Sequence, residues 1–272
     1  MFEQPYQSYL DAILPLCAEA SAVILRHYEN QGDLGHETKA DDSPLTQADI
    51  ASHHILVEGL RPLGLPVLSE ESSDQEIQAR REWKQLWMVD PLDGTKEFIG
   101  RTGEFTINLA LVEDTRPVMG VIAVPLSGNV YAGVPGQGAW CHDRQGWRPL
   151  ATPRVKADEP LLVLTSRRHR GETLEKFLED LGVHPGGVER RYAGSALKFC
   201  QMLDGEGDVY PRFSPCSEWD TAAGDALLVA AGGCLLGMDG MPLLYNQRDS
   251  LLNPHFIALS DPDAGRTLAG LA

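Results

Sequence analysis

No apolar run among the 272 residues approaches the ~20 needed to cross a bilayer. The opening Met1-Phe2-Glu3-Gln4-Pro5 carries neither the basic nor the apolar stretch of a secretory signal. Cysteine is sparse. Cys17, Cys141, Cys200, Cys216 and Cys234 are odd in number and form no C-x-x-C pair, which speaks against a disulfide framework or a zinc site and for reduced thiols in a cytoplasm. Basic residues are outnumbered, 23 against 39 acids, for a net charge of −16. A nucleic-acid polymer needs basic patches, so it is an unsuitable partner, and strong membrane attachment gains no support. A small phosphorylated substrate is not excluded, because bound cations can reverse the polarity of a site. None of the eight histidines shows metal-ligand spacing, and they read as structural or surface residues.

What is present suits a soluble globular chain, 43% hydrophobic and 23% charged, with enough length for a substantial core. Residues 6 to 29 place apolar side chains at helical period, with Pro15 expected to bend or break that helix near its first turns. A second helix is predicted from Thr46 to about Leu60, a strand at Pro66-Val67-Leu68, and helix from Gln75 to Lys84. From Leu86 to Leu150 short β-rich segments separated by turn residues predict an antiparallel meander. Ala151 to Pro160 is polar and carries two prolines. It divides the chain into an α+β part, 1–152, and an α/β part, 153–272. In the second part Leu161–Thr165 and Asp208–Tyr210 read as strands. Glu172–Leu181, Ser195–Leu203 and Thr221–Ala231 read as helices, the last ending at Gly232-Gly233.

The chemistry concentrates at Trp87-Met88-Val89-Asp90-Pro91-Leu92-Asp93-Gly94-Thr95-Lys96-Glu97-Phe98. An apolar strand delivers two carboxylates, three residues apart, into a turn. Acids held this close repel unless a cation lies between them, and hard oxygen donors suit Mg²⁺ completed by substrate phosphate. The Gly94 and Thr95 amides could open a helix and receive an anion. Glu70 in Ser69-Glu70-Glu71-Ser72 and Asp220 in Trp219-Asp220-Thr221-Ala222-Ala223-Gly224 are further acids beside strand or helix signals. Taken singly, these segments have ordinary readings: a solvated turn for Glu70, a β-turn for Asp90–Gly94, a helix N-cap for Asp220.

Together, and in this order, the three segments resemble the signature motifs of the inositol monophosphatase superfamily, and the resemblance covers nearly the whole chain. It implies a sugar-phosphatase-like αβαβα sandwich and an Mg²⁺-dependent, lithium-sensitive phosphomonoesterase that uses two to three ions. Glu70, Asp90 and the Leu92 carbonyl would hold one ion, and Asp90, Asp93 and Asp220 a second, with Glu70 also helping a weaker third. Asp93, Gly94 and Thr95 would meet the phosphate. Asp49 and Thr95 would orient or deprotonate the attacking water, so no covalent intermediate is expected. Asp49 has a competing reading, since Thr46-Gln47-Ala48-Asp49 is patterned like a capping box.

Lys96-Glu97-Phe98, Lys39–Thr46, Gly194–Cys200 and Tyr210-Pro211-Arg212-Phe213 resemble the CysQ-type 3′(2′),5′-bisphosphate nucleotidases within that superfamily, with Ala196 where a second Ser is common. That resemblance implies removal of the 3′-phosphate from 3′-phosphoadenosine 5′-phosphate, a role in clearing a by-product of sulfate activation, and a cytoplasmic place. Some members sit peripherally at the cytoplasmic face of the inner membrane. An inositol phosphatase or fructose-1,6-bisphosphatase of the same fold is the alternative, followed by a silent nucleotide or metal sensor. The bisphosphate also needs a cation away from the scissile bond. Gly194 and Ser195 could open a helix facing the nucleotide, with Lys198 one turn along, and Arg212 offers a planar fork. Solvated surface charge is the ordinary reading of Lys198 and Arg212, an N-cap that of Ser195. The role of Lys96 and the oligomeric state stay open.

Overall fold

Tyr6–Glu29 form one continuous helix, α1, that buries Leu10, Ile13, Cys17, Ala20 and Ile24 along a single stripe. The computed structural model describes residues 1–30, 36–38, 44–168 and 171–263, with backbone alone for 36–38 and 44. The Lys39–Ser43 part of one motif, and His169, therefore lie outside the described residues. Pro15 does not break α1. Its ring lies on the exposed face, where the Asp11 carbonyl that it leaves without an amide partner can face water. Although no unbroken apolar run is expected to reach spanning length, α1 is long and apolar enough on average to cross a membrane, and its buried stripe packs on a sheet.

After the hairpin β1 (His36–Thr38) and β2 (Pro44–Thr46) comes α2 (Gln47–Leu60), then β3 (Val67–Ser69) and the short α3 (Asp74–Ala79). The helix expected over 75–84 is curtailed because Arg80 turns inward. Its guanidinium donates to Asn246 Oδ1 at 2.9 Å and to the carbonyls of Arg248 and Asp249. Next come β4 (Gln85–Asp93), α4 (Thr95–Ile99) and the strands β5 (Thr106–Glu113), β6 (Arg116–Val124), β7 (Asn129–Val134), β8 (Gly138–Asp143) and β9 (Gly146–Leu150). These form a seven-stranded sheet ordered β3-β4-β5-β6-β7-β8-β9, antiparallel throughout except for the parallel β3–β4 pair, so the expected meander is present.

The remaining elements are β10 (Leu161–Thr165), α5 (Glu172–Leu181), β11 (Val188–Tyr192), α6 (Leu197–Leu203), β12 (Val209–Arg212), α7 (Glu218–Ala231), β13 (Cys234–Gly237) and β14 (Phe256–Leu259). Their five strands are ordered β11-β10-β12-β14-β13. Strand β11 escapes sequence patterning because Val-Glu-Arg-Arg-Tyr is a charged edge strand, a common defence against edge-to-edge pairing. Helix α7 starts three residues earlier than expected, and Gly232 ends it in the left-handed region at φ 103°.

Burial defines the layers. One face of the large sheet (Trp87, Val89, Leu109, Val121) packs against α1 and α2. Its other face (Met88, Ala110, Ile122) packs with Phe199 of α6 and Leu227 and Leu228 of α7, whose far side meets Tyr210, Leu235 and Phe256 of the small sheet. The outer face of that sheet (Val163, Val209, Ile257) is covered by Phe177, Leu178 and Leu181 of α5. The result is five layers, αβαβα, as the resemblance implied. All five cysteines are free.

Candidate active site

Strand β4 is buried on both faces from Leu86 to Val89, and then its register with β5 slips by one residue: Asp90 pairs with Asn108, Asp93 with Thr106. Side chains three apart on a regular strand point to opposite faces. The extra residue of the bulge brings Asp90 and Asp93 to the same side. Buried Ser52 of α2 fastens the bulge by donating to the Pro91 carbonyl at 2.7 Å. Gly94 then turns the chain at φ 92°. A Cβ there would lie 2.7 Å from the Glu104 carbonyl, so the turn needs glycine twice over.

Asp220 arrives from the other half of the molecule. It is not the N-cap of α7 but its third residue, accepting the Ser217 N–H at 2.9 Å and the Cys216 thiol at 3.2 Å. Oxygen atoms of Asp90, Asp93 and Asp220 lie within 4.8 Å of one another. Glu70 stands at the exit of β3, its N–H donating to the Val89 carbonyl at 3.0 Å. His53, which contacts Ser69 Oγ at 2.9 Å, supports that turn as a structural residue.

Burial and mutual repulsion act on these acids. Burial, then the charges of Glu70, Asp93 and Asp220, push the Asp90 carboxyl well above the usual range. Burial and Asp220 push Asp93 up to about 7, against the pull of Lys198, the Ala196 N–H and Asn108. A cation among them would relieve this crowding, and a donor set of oxygens alone fits a hard divalent ion such as Mg²⁺. The residues present therefore fit the metal that the resemblance implied.

Asp49 serves two neighbours at once. Its Oδ2 accepts the Thr46 N–H at 2.9 Å and the Thr46 hydroxyl at 2.5 Å, closing the capping box of α2. Its Oδ1 accepts the Thr95 hydroxyl at 3.1 Å, and that hydroxyl also lies 3.2 Å from the Leu92 carbonyl. The capping box is therefore present, and the same carboxylate also bonds Thr95, the partner that the resemblance implied for it.

The segment expected to face a substrate is a turn locked against the acidic cluster. Ser195 adopts φ 45°, the left-handed region, and its hydroxyl accepts the Leu197 N–H at 3.2 Å. Neither Gly194 nor Ser195 opens the helix, which begins at Leu197 after Ala196, and the flanking amides are already committed. The Ala196 N–H donates to Asp93 Oδ2 at 2.5 Å, and the Gly194 N–H to Glu104 Oε2 at 3.1 Å.

Lys198 is not a solvated surface charge. Only 2% exposed, it donates to the Ser195 carbonyl at 2.7 Å and the Ala193 carbonyl at 3.3 Å, with its ammonium 4.9 Å from the Tyr210 ring centre. Burial and the nearby Arg212 lower its pKa to about 8. Arg212 is also held, by the Ser214 and Pro215 carbonyls. Asp93, Gly94, Lys96, Ser195, Lys198, Arg212 and Asp220 all line one cavity of about 90 Å³.

Sequence reasoning missed Ser52, Asn108, Glu104 and Arg168. Asn108 donates to Asp93 Oδ2 at 3.3 Å, and a lone amide inside the apolar run Thr106–Val112 was its visible signal. The others lack a local signal, because tertiary packing alone sets Ser52 against Pro91, Glu104 against Gly194 and Arg168 on the cavity wall.

The inositol monophosphatase family profile matches residues 6–264. The chain belongs to the inositol monophosphatase family. It is similar to the 3′(2′),5′-bisphosphate nucleotidase CysQ of Shigella flexneri, 42% identical over 91% of this chain and 98% of that protein. The CysQ of Escherichia coli K12 is 41% identical over the same shares. Among solved structures, CysQ from Bacteroides thetaiotaomicron superposes with a TM-score of 0.83 at 38% identity, covering 94% of this chain and 98% of its own. The SuhB protein of Bartonella henselae, at 21% identity, shares the fold with a TM-score of 0.77 over 97% of this chain and 98% of its own.

Proposed function

We propose that this chain is a 3′(2′),5′-bisphosphate nucleotidase that hydrolyses the 3′-phosphate of 3′-phosphoadenosine 5′-phosphate to AMP and phosphate. One observation carries the reading furthest: the carboxylates Asp93 and Asp220 line a cavity whose wall is also cationic, with Lys96, Arg168, Lys198 and Arg212. A monoester needs only the acidic end with its metal; a second phosphate gives the cationic wall a purpose. The likeness to CysQ proteins over nearly the full length supports the same substrate class.

In this reading Glu70, Asp90, Asp93, Asp220 and the Leu92 carbonyl would hold two to three Mg²⁺ ions. Magnesium supplies Lewis acidity, offsetting charge on the phosphoryl oxygens and making water a stronger nucleophile at neutral pH. Asp49, through the Thr95 hydroxyl, orients the attacking water and takes its proton, while the Gly94 and Thr95 amides hold phosphate oxygens. A new P–O bond forms from water as the bond between phosphorus and the ribose 3′ oxygen breaks, and that oxygen takes a proton from solvent water to become the 3′-hydroxyl of AMP. Ser195, Gly194, Lys198 and Arg212 place the remainder of the nucleotide.

The test is phosphate release with Mg²⁺ from 3′-phosphoadenosine 5′-phosphate, inositol 1-phosphate and fructose 1,6-bisphosphate, each with and without Li⁺. Strong, lithium-inhibited preference for the nucleotide is expected. Preference for a sugar or inositol ester would leave the metal site standing and overturn the substrate. No release from any of them would favour a silent sensor.

A further inference from the structure

A second cavity, of about 220 Å³, adjoins the catalytic one, and the two share Ser166, Arg168, Tyr210 and Arg212 as a common wall. The far ends differ in chemistry. Asp93 and Asp220 line the first, and Leu174, Pro211 and Phe213 line the second. A ligand reaching from the carboxylate cluster into the apolar end passes a junction at which two of four shared residues are arginines.

These cations are not equally available. The Lys198 ammonium and the Arg212 guanidinium are each held by two backbone carbonyls. Arg168 is held differently. Its side chain is 49% exposed, its Nε donates to Glu97 Oε1 at 3.1 Å, and its Nη2 lies 3.4 Å from the Lys96 carbonyl. Glu97 belongs to α4, directly after the Gly94 turn, so this ion pair reaches from one half of the molecule to the other beside the catalytic cavity. The arginine end of this pair is half exposed while the Glu97 side chain is only 15% exposed, and solvent at the arginine end weakens the pair. A phosphate dianion offers more acceptor oxygens to the same planar fork than a carboxylate does, and can displace it.

The geometry points to Arg168 as the residue that takes the second, non-scissile phosphate of a nucleoside bisphosphate, exchanging Glu97 for that phosphate where the two cavities meet. This rests on the bisphosphate reading above. Arg168 then sets specificity, and Glu97 is the placeholder that keeps its fork near the site when no substrate is bound.

The experiment compares the full chain and its Arg168→Ala, Arg168→Lys and Glu97→Gln variants, with Mg²⁺, on 3′-phosphoadenosine 5′-phosphate and on adenosine 3′-monophosphate. Arg168→Ala is expected to raise KM for the bisphosphate about tenfold or more, with kcat little changed. For the monophosphate, kcat/KM should fall by less than about threefold. Arg168→Lys should recover part of the loss, and Glu97→Gln should hold or lower KM for the bisphosphate. Equal losses on both substrates, or a Glu97→Gln variant that copies Arg168→Ala, would make the pair a structural tie and overturn the proposal. If the unaltered chain prefers the bisphosphate and Arg168→Ala keeps that preference, the proposal alone fails. If the unaltered chain shows no preference, the substrate reading fails and the proposal with it.

Discussion

Asp93 answers to four neighbours: Asp220, whose charge raises its pKa, and Lys198, the Ala196 N–H and the Asn108 amide, which stabilise its charged form. Asp93→Asn keeps the volume and removes the charge. It should leave the circular dichroism spectrum unchanged and lower phosphate release by about 100-fold or more. A variant with full activity would remove Asp93 from the metal site. Asp225, one helical turn beyond Thr221, is a buried acid that the chemistry does not use. Burial pushes its carboxyl up to about 7, with Arg116 and the Tyr245 hydroxyl pulling the other way. The unfolded carboxyl titrates near 3.9, so between about pH 4 and 7 the folded chain binds the extra proton. Stability from this group therefore falls as pH rises through that window and levels off above about 7. Asp225→Asn should melt higher than the unaltered chain at pH 8, by roughly 2–4 °C for each kcal/mol recovered, and the gap should shrink toward pH 5. A gap independent of pH would mean that the charge is not the cause.

Helix α7 lies on the large sheet where the sheet offers no side chain. A Cβ at Gly120 of β6 would sit 2.3 Å from the Ala223 carbonyl and 3.0 Å from Ala226 Cβ. Gly120→Ala must therefore lift the helix, at about 1–3 kcal/mol, and because Asp220 rides on α7 the variant should lose turnover as well as melting temperature. A stability loss with normal kcat would show that Asp220 tolerates the shift. This closeness was not legible in the sequence, where Gly120 is one glycine among 27. The acids were legible because Asp90, Asp93 and Asp220 sit at the ends of strongly patterned elements. The bulge that turns Asp90 and Asp93 to one side depends on pairing with β5, and so could not be read from β4 alone. Lys198 and Ser195 were found as residues but not in their setting. Burial of an ammonium beneath two carbonyls, and a serine at positive φ, follow from tertiary contacts that no local pattern encodes. Strands β11, β13 and β14 were missed for related reasons: one is charged, and the others are four residues long.

Across the whole molecule, the inner core joins residues from both sides of position 152: Met88, Ala110 and Ile122 pack with Phe199, Leu227 and Phe256. We propose that 1–152 and 153–272 are structural parts that fold together. Expressed alone, 1–152 would expose the sheet face that α7 covers, and it should give an aggregating chain or no cooperative melt. A sharp melt from that fragment would make it an independent domain. Mg²⁺ binding to the folded site alone should stabilise the intact chain by mass action, about 2.7 kcal/mol at 100 times Kd, read as a rising melting temperature that EDTA reverses. Asp93→Asn should show little of that rise.

In the proposed function, the hydrogen bond from the Ala196 N–H to Asp93 would make one carboxylate common property of the cation and of the turn that would cradle the nucleotide. Whatever cation binding did to the position of Asp93 would then be transmitted to that turn through the Ala196 amide. Affinities for the two ligands must then depend on each other, and by the same factor in each direction. A titration of Mg²⁺ with and without AMP, paired with a titration of AMP at low and saturating Mg²⁺, would yield that factor twice over. The active site would thus assemble in the manner of a cooperative receptor, with neither ligand fully seated until the other arrives.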